Sequence, residues 1–130
     1  MNKEGPGSLR QKVFDWAKQA YGTEPEYLWM QFPDYAVLRN GEGKWYGIVM
    51  NVPKSKFGFG SEDSVDVLNV KADLFLIDAL IAEPGFFRGY HMNKNQWLSI
   101  FLDGSVPEET VRRLLAESYE RTQKKKRKTT

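Results

Sequence analysis

The stretch YAVLRNGEGKWYGIVM, residues 35–50, contains two runs rich in β-branched and aromatic residues on either side of a short polar connection. The runs, 35–39 and 45–50, are both typical of strands. The connection begins with Asn40 and Gly41, and an Asn-Gly pair readily adopts the positive φ angles of a tight turn. The stretch therefore predicts a β-hairpin, which places an antiparallel sheet at the centre of the fold.

Three further segments are predicted to be helices. Ser8 can cap the first, whose apolar residues follow one stripe, and Gly22 is well placed to end it. Asp73 can cap the second, which is apolar nearly all round and stops at a Pro-Gly pair. Ser105 and Glu108 have the spacing of a capping box, which predicts the start of the third. That helix has an inward stripe of apolar and small residues: Val111, Leu114, Leu115, Ser118 and Tyr119.

Three more strands are predicted from alternating or β-rich patterns, at 65–70, 86–92 and 96–102. Residues 93–95 join the last two, because asparagine tolerates turn conformations. The aromatic segment 23–33 carries two prolines and is assigned no regular element. The predicted order is α-β-β-β-α-β-β-α, a two-layer α+β domain with an antiparallel five-stranded sheet and helices packed against it.

Length and charge indicate one domain with a basic appendage. The 130 residues can bury a modest core. We predict a flexible arm at 1–7, a single domain at 8–122 and a disordered basic tail at 123–130. Five of the 19 lysines and arginines lie at 124–128, which leaves 14 cations against 17 carboxylates. Outside the tail the net charge is therefore about −3, so the domain itself is not basic.

The composition also excludes several classes of protein. Without cysteine there are no disulfides, thiolate metal sites, iron–sulfur clusters or cysteine nucleophiles. No run of about 18 apolar residues could span a membrane, and the first residues lack the apolar core of a signal peptide. No motif predicts a cofactor or a nucleotide-phosphate loop. These features predict a cytoplasmic protein with no membrane partner.

Several ordered blocks of the sequence resemble the MmcQ/YjbR family. The central block comprises Tyr90, His91, Met92, Asn93 and Lys94, followed by Trp97. Other matching blocks lie at 32–37, 68–71, 83–86 and 102–109. The resemblance implies a double-wing fold related to secretion chaperones, with the order α-β(3)-α-β(2)-α, and the DNA-binding role that is predicted for the family.

His91 is the only histidine, so every site that needs two imidazoles is excluded. The family often has a second histidine at the position of Gln96. General acid or base catalysis by His91 would need a nucleophile nearby, and no nucleophile motif is present. We therefore expect a structural histidine at a strand end and a non-catalytic protein. An enzyme that uses His91, Lys94 and a carboxylate is the minor alternative.

The leading functional hypothesis is a binding module, with DNA as the ligand that the family resemblance implies. Candidate contacts lie on the predicted hairpin tips and on the loop after the second strand: Arg39, Lys44, Lys54, Lys56, Arg88, His91 and Lys94. The loop at 54–60 interleaves lysine with phenylalanine, a composition that suits phosphates and bases. Taken by themselves, residues 93–95 are expected to serve as a plain turn rather than a ligand contact, and Tyr90 and Trp97 as cross-strand packing partners rather than stacking platforms.

The competing hypothesis is a protein-interaction or chaperone-like module that uses its sheet or its second helix. Leu74, Phe75 and Ile81 add apolar surface beyond what a helix facing a sheet needs. They could cover a sheet edge or meet a second copy, which would make the protein a homodimer. The tail would attract any polyanion, so weak, salt-sensitive nucleic-acid binding by the whole chain is expected on electrostatics alone. The alternative is that the tail is only a solvated run of charge.

Overall fold

The computed structural model describes residues 7–123. Its helices and strands follow the order α-β-β-β-α-β-β-α, which confirms the predicted fold class. The helices are α1 (Leu9–Tyr21), α2 (Leu74–Leu80) and α3 (Glu108–Thr122). The strands are β1 (Ala36–Arg39), β2 (Trp45–Pro53), β3 (Ser64–Lys71), β4 (Phe86–Arg88) and β5 (Trp97–Phe101), with a 3-10 turn at Lys54–Phe57.

Residues 1–6 of the arm and 124–130 of the tail lie outside the described residues, and so do the predictions of flexibility and disorder made for them. Within 7–123, no helix is both long enough and apolar enough to cross a membrane.

The strands form one antiparallel sheet in the order β1-β2-β3-β5-β4. Because every neighbour is antiparallel, the β1–β2 connection at 40–44 and the β4–β5 connection at 89–96 leave the sheet at the same end. At that end Lys71 of β3 pairs with Trp97 of β5. The β2–β3 loop at 54–63 leaves from the opposite end. We call these two ends the hairpin end and the loop end.

Local capping interactions set the start of two helices. The Ser8 hydroxyl accepts a hydrogen bond from the Gln11 amide at 3.0 Å, and the Asp73 carboxylate accepts one from the Leu76 amide at 2.9 Å. Gly22, at φ 70°, ends α1 in the left-handed conformation that glycine adopts without strain. These three predictions are confirmed.

The predicted capping box at Ser105 is wrong. The residue that caps α3 is Pro107, and its side chain makes no capping hydrogen bond. Ser105 instead donates its hydroxyl to the Asp103 carboxylate at 2.6 Å. Glu108 is then the first helical residue rather than the third, so it is out of position to close the box. The charged acceptor two residues upstream satisfies the hydroxyl that the motif would have used.

The three helices pack on one face of the sheet, which we call the helix-covered face. Its core joins apolar side chains of all three helices to those of the strands, including Val13, Leu68, Ile77, Leu98 and Leu115, all of them buried. The predicted inward stripe of α3 is confirmed, since four of its five members are buried: Val111, Leu114, Leu115 and Ser118.

The other face, the open face, is covered by no α-helix from residues 7–123. Its buried residues are Val37, Ile48, Met50, Val52, Val65, Val67, Trp97 and Phe101. Seven partly buried side chains cover them: Trp29, Tyr35, Trp45, Phe57, Phe87, Tyr90 and Met92. Most of these come from the connections and strand ends rather than from strand interiors. The open face is therefore covered by individual rings, and this arrangement leaves room for a pocket.

Candidate functional site

The connection at 89–96 crosses the hairpin end in an irregular path. The predicted fourth strand is too long, because β4 ends at Arg88. His91 has φ of 62°, so it lies in a turn and not at a strand end as predicted. Position 89 requires glycine, because the Cβ of any other residue would lie only 2.6 Å from the Trp97 Cβ. Tyr90 lies outside the strands, so its predicted cross-strand pairing is wrong, but its ring still packs on the open-face core, 5.3 Å from the Phe57 ring.

A buried polar network holds Tyr90 over the open face. Asn69 of β3 and Ser99 of β5 pair in register, and neither is exposed to solvent. The Ser99 hydroxyl donates to the Asn69 side-chain carbonyl and accepts from the Tyr90 amide at 2.9 Å. The Asn69 amide group donates to the Tyr90 carbonyl at 3.0 Å. Both backbone polar groups of Tyr90 are thus satisfied, which offsets the cost of burying them.

The remainder of the connection is fixed by its own side chains. The Lys94 ammonium donates to the Gly89 carbonyl at 2.6 Å. The Asn93 side-chain carbonyl accepts from the Asn95 amide at 2.9 Å, and this is the turn chemistry that the sequence predicts for asparagine. The segment that carries the central block of the family resemblance is therefore an ordered turn.

A pocket of about 270 Å³ lies between this turn and the segment that precedes β1. Residues of β2 and aromatic residues of the two segments line it: Trp29, Phe32, Tyr35, Trp45, Ile48, Met50, Tyr90, His91 and Met92. The Trp29 ring stands nearly perpendicular to the Tyr35 and Trp45 rings, with centroids 6.0 and 5.8 Å away. Phe32 stacks on Tyr35 at 4.6 Å. We call this cavity the aromatic pocket.

The polar groups of the aromatic pocket are phenols, indoles and the His91 imidazole, and no lysine, arginine, aspartate or glutamate within 7–123 lines it. Burial raises the pKa of Tyr35 and of Tyr90, and the Tyr90 phenol raises the pKa of Tyr35 further. Both hydroxyls are therefore neutral at physiological pH. The His91 ring lies 4.1 Å from the Tyr90 ring. None of the phenol, indole or imidazole groups that line the pocket hydrogen-bonds to another residue within 7–123.

The structure divides the cations that the sequence singled out between the two ends of the sheet. Lys44 and Lys94 lie on the connections of the hairpin end, Lys44 directly before Trp45 and Lys94 two residues after Met92. Arg39 also lies at the hairpin end, where it pairs with Glu26 at 3.1 Å. Lys54 and Lys56 lie at the loop end.

Arg88 completes β4 and is paired with Asp78 of α2 at 2.6 Å. It therefore points toward the helix-covered face, away from the aromatic pocket. Of the seven candidates, His91 lines the pocket, Arg39, Lys44 and Lys94 share its end of the sheet, and Arg88 lies at that end on the opposite face. The seven do not form one continuous surface.

A larger hollow of about 590 Å³ lies at the loop end beside the starts of α1 and α3. It is lined by Lys54 together with the carboxylates Asp66, Asp103 and Glu108, so its charges are mixed. Within the described part of the chain, no group of three or more histidine, aspartate or glutamate residues is placed to hold a metal ion.

Sequence reasoning missed the wall of the aromatic pocket that comes from the segment before β1. Trp29, Phe32 and Tyr35 lie in or next to a stretch that was assigned only a connecting role. The signal in the sequence was the density of aromatic residues between two prolines. Neighbouring apolar residues are also exposed, with Met30 at 93%. A cluster of exposed apolar residues beside a pocket is typical of a binding surface.

Comparisons with known proteins support one family. The model of the YjbR family matches residues 18–121. The chain is 38% identical to the uncharacterized protein YyaQ of Bacillus subtilis over 114 residues, which covers 87% of this chain and 97% of that protein. A crystal structure of a Pseudomonas syringae protein is similar at 36% identity and a TM-score of 0.84, over 88% of this chain and 98% of that one.

A Deinococcus radiodurans crystal structure shares the fold at 21% identity and a TM-score of 0.68, with 89% of this chain and 79% of that one covered. The family match spans most of the described residues, including the turn at 89–96 and both faces of the sheet. The resemblance found in the sequence is confirmed, and the chain belongs to the YjbR family.

Proposed function

We propose that this domain is a non-catalytic binding module and that its binding site is the hairpin end, with the aromatic pocket at its centre. The observation that carries the proposal is the pairing of an ordered, network-held turn with an apolar pocket whose ring N–H and O–H groups hydrogen-bond to no other described residue. Largely apolar cavities with a few convergent polar groups are typical of ligand sites. A ligand would supply hydrogen-bond partners for these groups.

DNA is the ligand class that we propose for this site. Lys44 directly precedes Trp45 and Lys94 follows Met92 by two residues, and cations beside aromatic rings suit a nucleic-acid strand. Arg39 would add a third cation once it exchanges Glu26 for phosphate. The net charge of about −3 outside the tail predicts that such binding is weak and acts at short range.

DNA binding at this site is tested with a variant in which the five basic tail residues, 124–128, are replaced by glutamine. The anisotropy of labelled DNA reports its binding to this variant. We expect retained binding whose affinity falls as salt rises. Replacing Lys44 and Lys94 by glutamine should weaken binding and reduce the salt slope by about 1 for each lysine that pairs with a phosphate. The matched control replaces Lys54 and Lys56, which is the same change in charge at the loop end.

Loss of all binding when the tail is neutralised would show that DNA is bound only by electrostatic attraction to the tail. Equal effects from the two ends of the sheet would remove the hairpin end as the site. Because Lys94 also holds the Gly89 carbonyl, thermal unfolding of each variant distinguishes weaker phosphate pairing from disruption of the turn.

Protein interaction is a second candidate function, and the exposed side chains of α2 favour it. Phe75 is 86% exposed and Leu74 is 40% exposed. Such a surface could pair two copies of the chain. Sedimentation equilibrium tests this: a concentration-dependent dimer that Phe75→Ser abolishes would support the idea, and a monomer at all concentrations would remove it.

A further inference from the structure

Building on the proposed function, we infer that the aromatic pocket binds one flat heteroaromatic ring system of the nucleobase kind. The ring enters the pocket, and its charged attachments stay outside. The ring could belong to an unpaired base in a DNA strand or to a free nucleoside, since both present the same chemistry to the pocket.

The size of the pocket restricts the ligand to a small group. Its volume of about 270 Å³ lies just below the roughly 300–1,000 Å³ of cavities that hold drug-sized molecules. One ring system fits this space, whereas an extended peptide segment or a stacked base pair does not.

The walls of the pocket favour a flat ring. Trp29 is turned by 75° from Tyr35 and by 89° from Trp45. A planar guest can therefore stack on one ring while it meets the edge of another, and these are the two geometries that aromatic pairs prefer. Ile48 and Met50 of β2 add an apolar surface below.

The polar groups of the pocket favour a heteroaromatic ring over a hydrocarbon ring. Tyr35 and Tyr90 each have a neutral phenol that can donate and accept, and His91 adds a ring nitrogen. A hydrocarbon guest would cover these groups without bonding to them, which costs free energy. A ring with acceptors and donors on its edge satisfies them.

The charge distribution places the rest of the ligand outside. No lysine, arginine, aspartate or glutamate within 7–123 lines the pocket. Lys44 instead directly precedes Trp45 of the pocket wall, and Lys94 lies on the turn that borders the pocket. A phosphate attached to the ring would therefore find cations outside the pocket while the ring stays in an uncharged environment. An intact duplex cannot use the site, because its bases are stacked and paired.

The experiment uses the chain with glutamine at 124–128 and four probes: a short oligothymidylate, an abasic strand of equal length, a matched duplex and free thymidine. Tryptophan fluorescence and anisotropy report binding. We expect the base-bearing strand to bind about tenfold more tightly than the abasic strand or the duplex, the scale that stacking one base supplies. Thymidine should quench the fluorescence and compete with the strand.

Two variants test the pocket directly. Trp29→Leu should weaken binding of the base-bearing strand about tenfold without changing that of the abasic strand. Tyr90→Phe keeps every ring and so preserves packing, and it should still weaken thymidine binding. The matched control is Trp16→Phe on α1, outside the pocket.

The outcomes separate the two proposals. Equal, salt-dependent binding of base-bearing and abasic strands would leave DNA binding intact and overturn the base pocket. Binding of thymidine without binding of any strand would support the pocket and identify a free heteroaromatic molecule as its source, while DNA binding would fail. Failure of thymidine and of every strand to bind would overturn both.

Discussion

The two faces of the sheet are closed in different ways. On the helix-covered face, three helices bury a continuous apolar core in which Leu68, Leu98 and Leu115 have almost no exposure. On the open face, single rings from connections and strand ends lie over the sheet, and a buried polar pair, Asn69 and Ser99, fixes the turn at Tyr90. More apolar side chains are buried on the helix-covered face than on the open face. We therefore expect the helix-covered face to supply more of the stability, which leaves the open face free to hold a pocket.

The largest expected effect is on the helix-covered face. Leu68→Ala removes a fully buried side chain from the central strand and should lower the free energy of unfolding by about 2–5 kcal/mol. Chemical denaturation of the variant and the wild type measures the difference. A decrease below about 1 kcal/mol would mean that this face does not dominate the stability.

An intermediate effect is expected from the polar pair on the open face. Ser99→Ala leaves the Tyr90 amide and the Asn69 carbonyl without their partner, which should cost about 1–3 kcal/mol. Amide hydrogen exchange should accelerate at Tyr90 while the amides of the β2–β3 ladder stay protected. Unchanged exchange at Tyr90 would show that the network does not hold the turn.

The pH dependence of the free energy of unfolding tests whether Tyr46 is buried beneath the helices. Its hydroxyl donates to Thr23 at 2.6 Å, so Tyr46→Phe should cost about 1 kcal/mol at neutral pH. Burial raises the pKa of Tyr46 from 10.0 to about 12. The unfolded chain therefore loses this proton before the folded chain does, and the free energy of unfolding falls as pH rises from 10.0 toward about 12.

Tyr46→Phe should flatten this decline, and denaturation curves across the alkaline range measure it. Other tyrosines also titrate there, so the slope of the variant is compared with that of the wild type. Parallel slopes would contradict the assignment of the decline to Tyr46.

The smallest effect is expected beside the pocket. Met30 is 93% exposed, so Met30→Ala should change the free energy of unfolding by less than about 0.5 kcal/mol. Chemical denaturation of Met30→Ala and Leu68→Ala compares the loss in the free energy of unfolding on the two faces. A decrease comparable to that of Leu68→Ala would show that the segment before β1 is part of the core.

The element order could be predicted because local patterns determine it. The hairpin around Asn40 and the caps at Ser8 and Asp73 depend on residues close in the chain. The aromatic pocket could not be predicted from local patterns, because Trp29 and Tyr90 meet only through the long-range packing of the sheet. The positive φ of His91 was equally hidden, because the asparagines at 93 and 95 carry the stronger turn signal.

Charge type alone also could not show which cations lie together. Lys44 and Lys54 look equivalent in the sequence, but β2 separates them by its full length and puts them at opposite ends of the sheet. Strand direction and pairing, which become visible only in the assembled sheet, decide that question.

The most direct test of the pocket as a binding site is an NMR titration of the indole N–H signals with a short oligothymidylate. Trp29 and Trp45 line the pocket, whereas Trp16 packs against the helix-covered core. We predict that the Trp29 and Trp45 signals shift and saturate together while the Trp16 signal stays in place. Shifts confined to Trp16, or none at saturating strand, would contradict the assignment of binding to the open face.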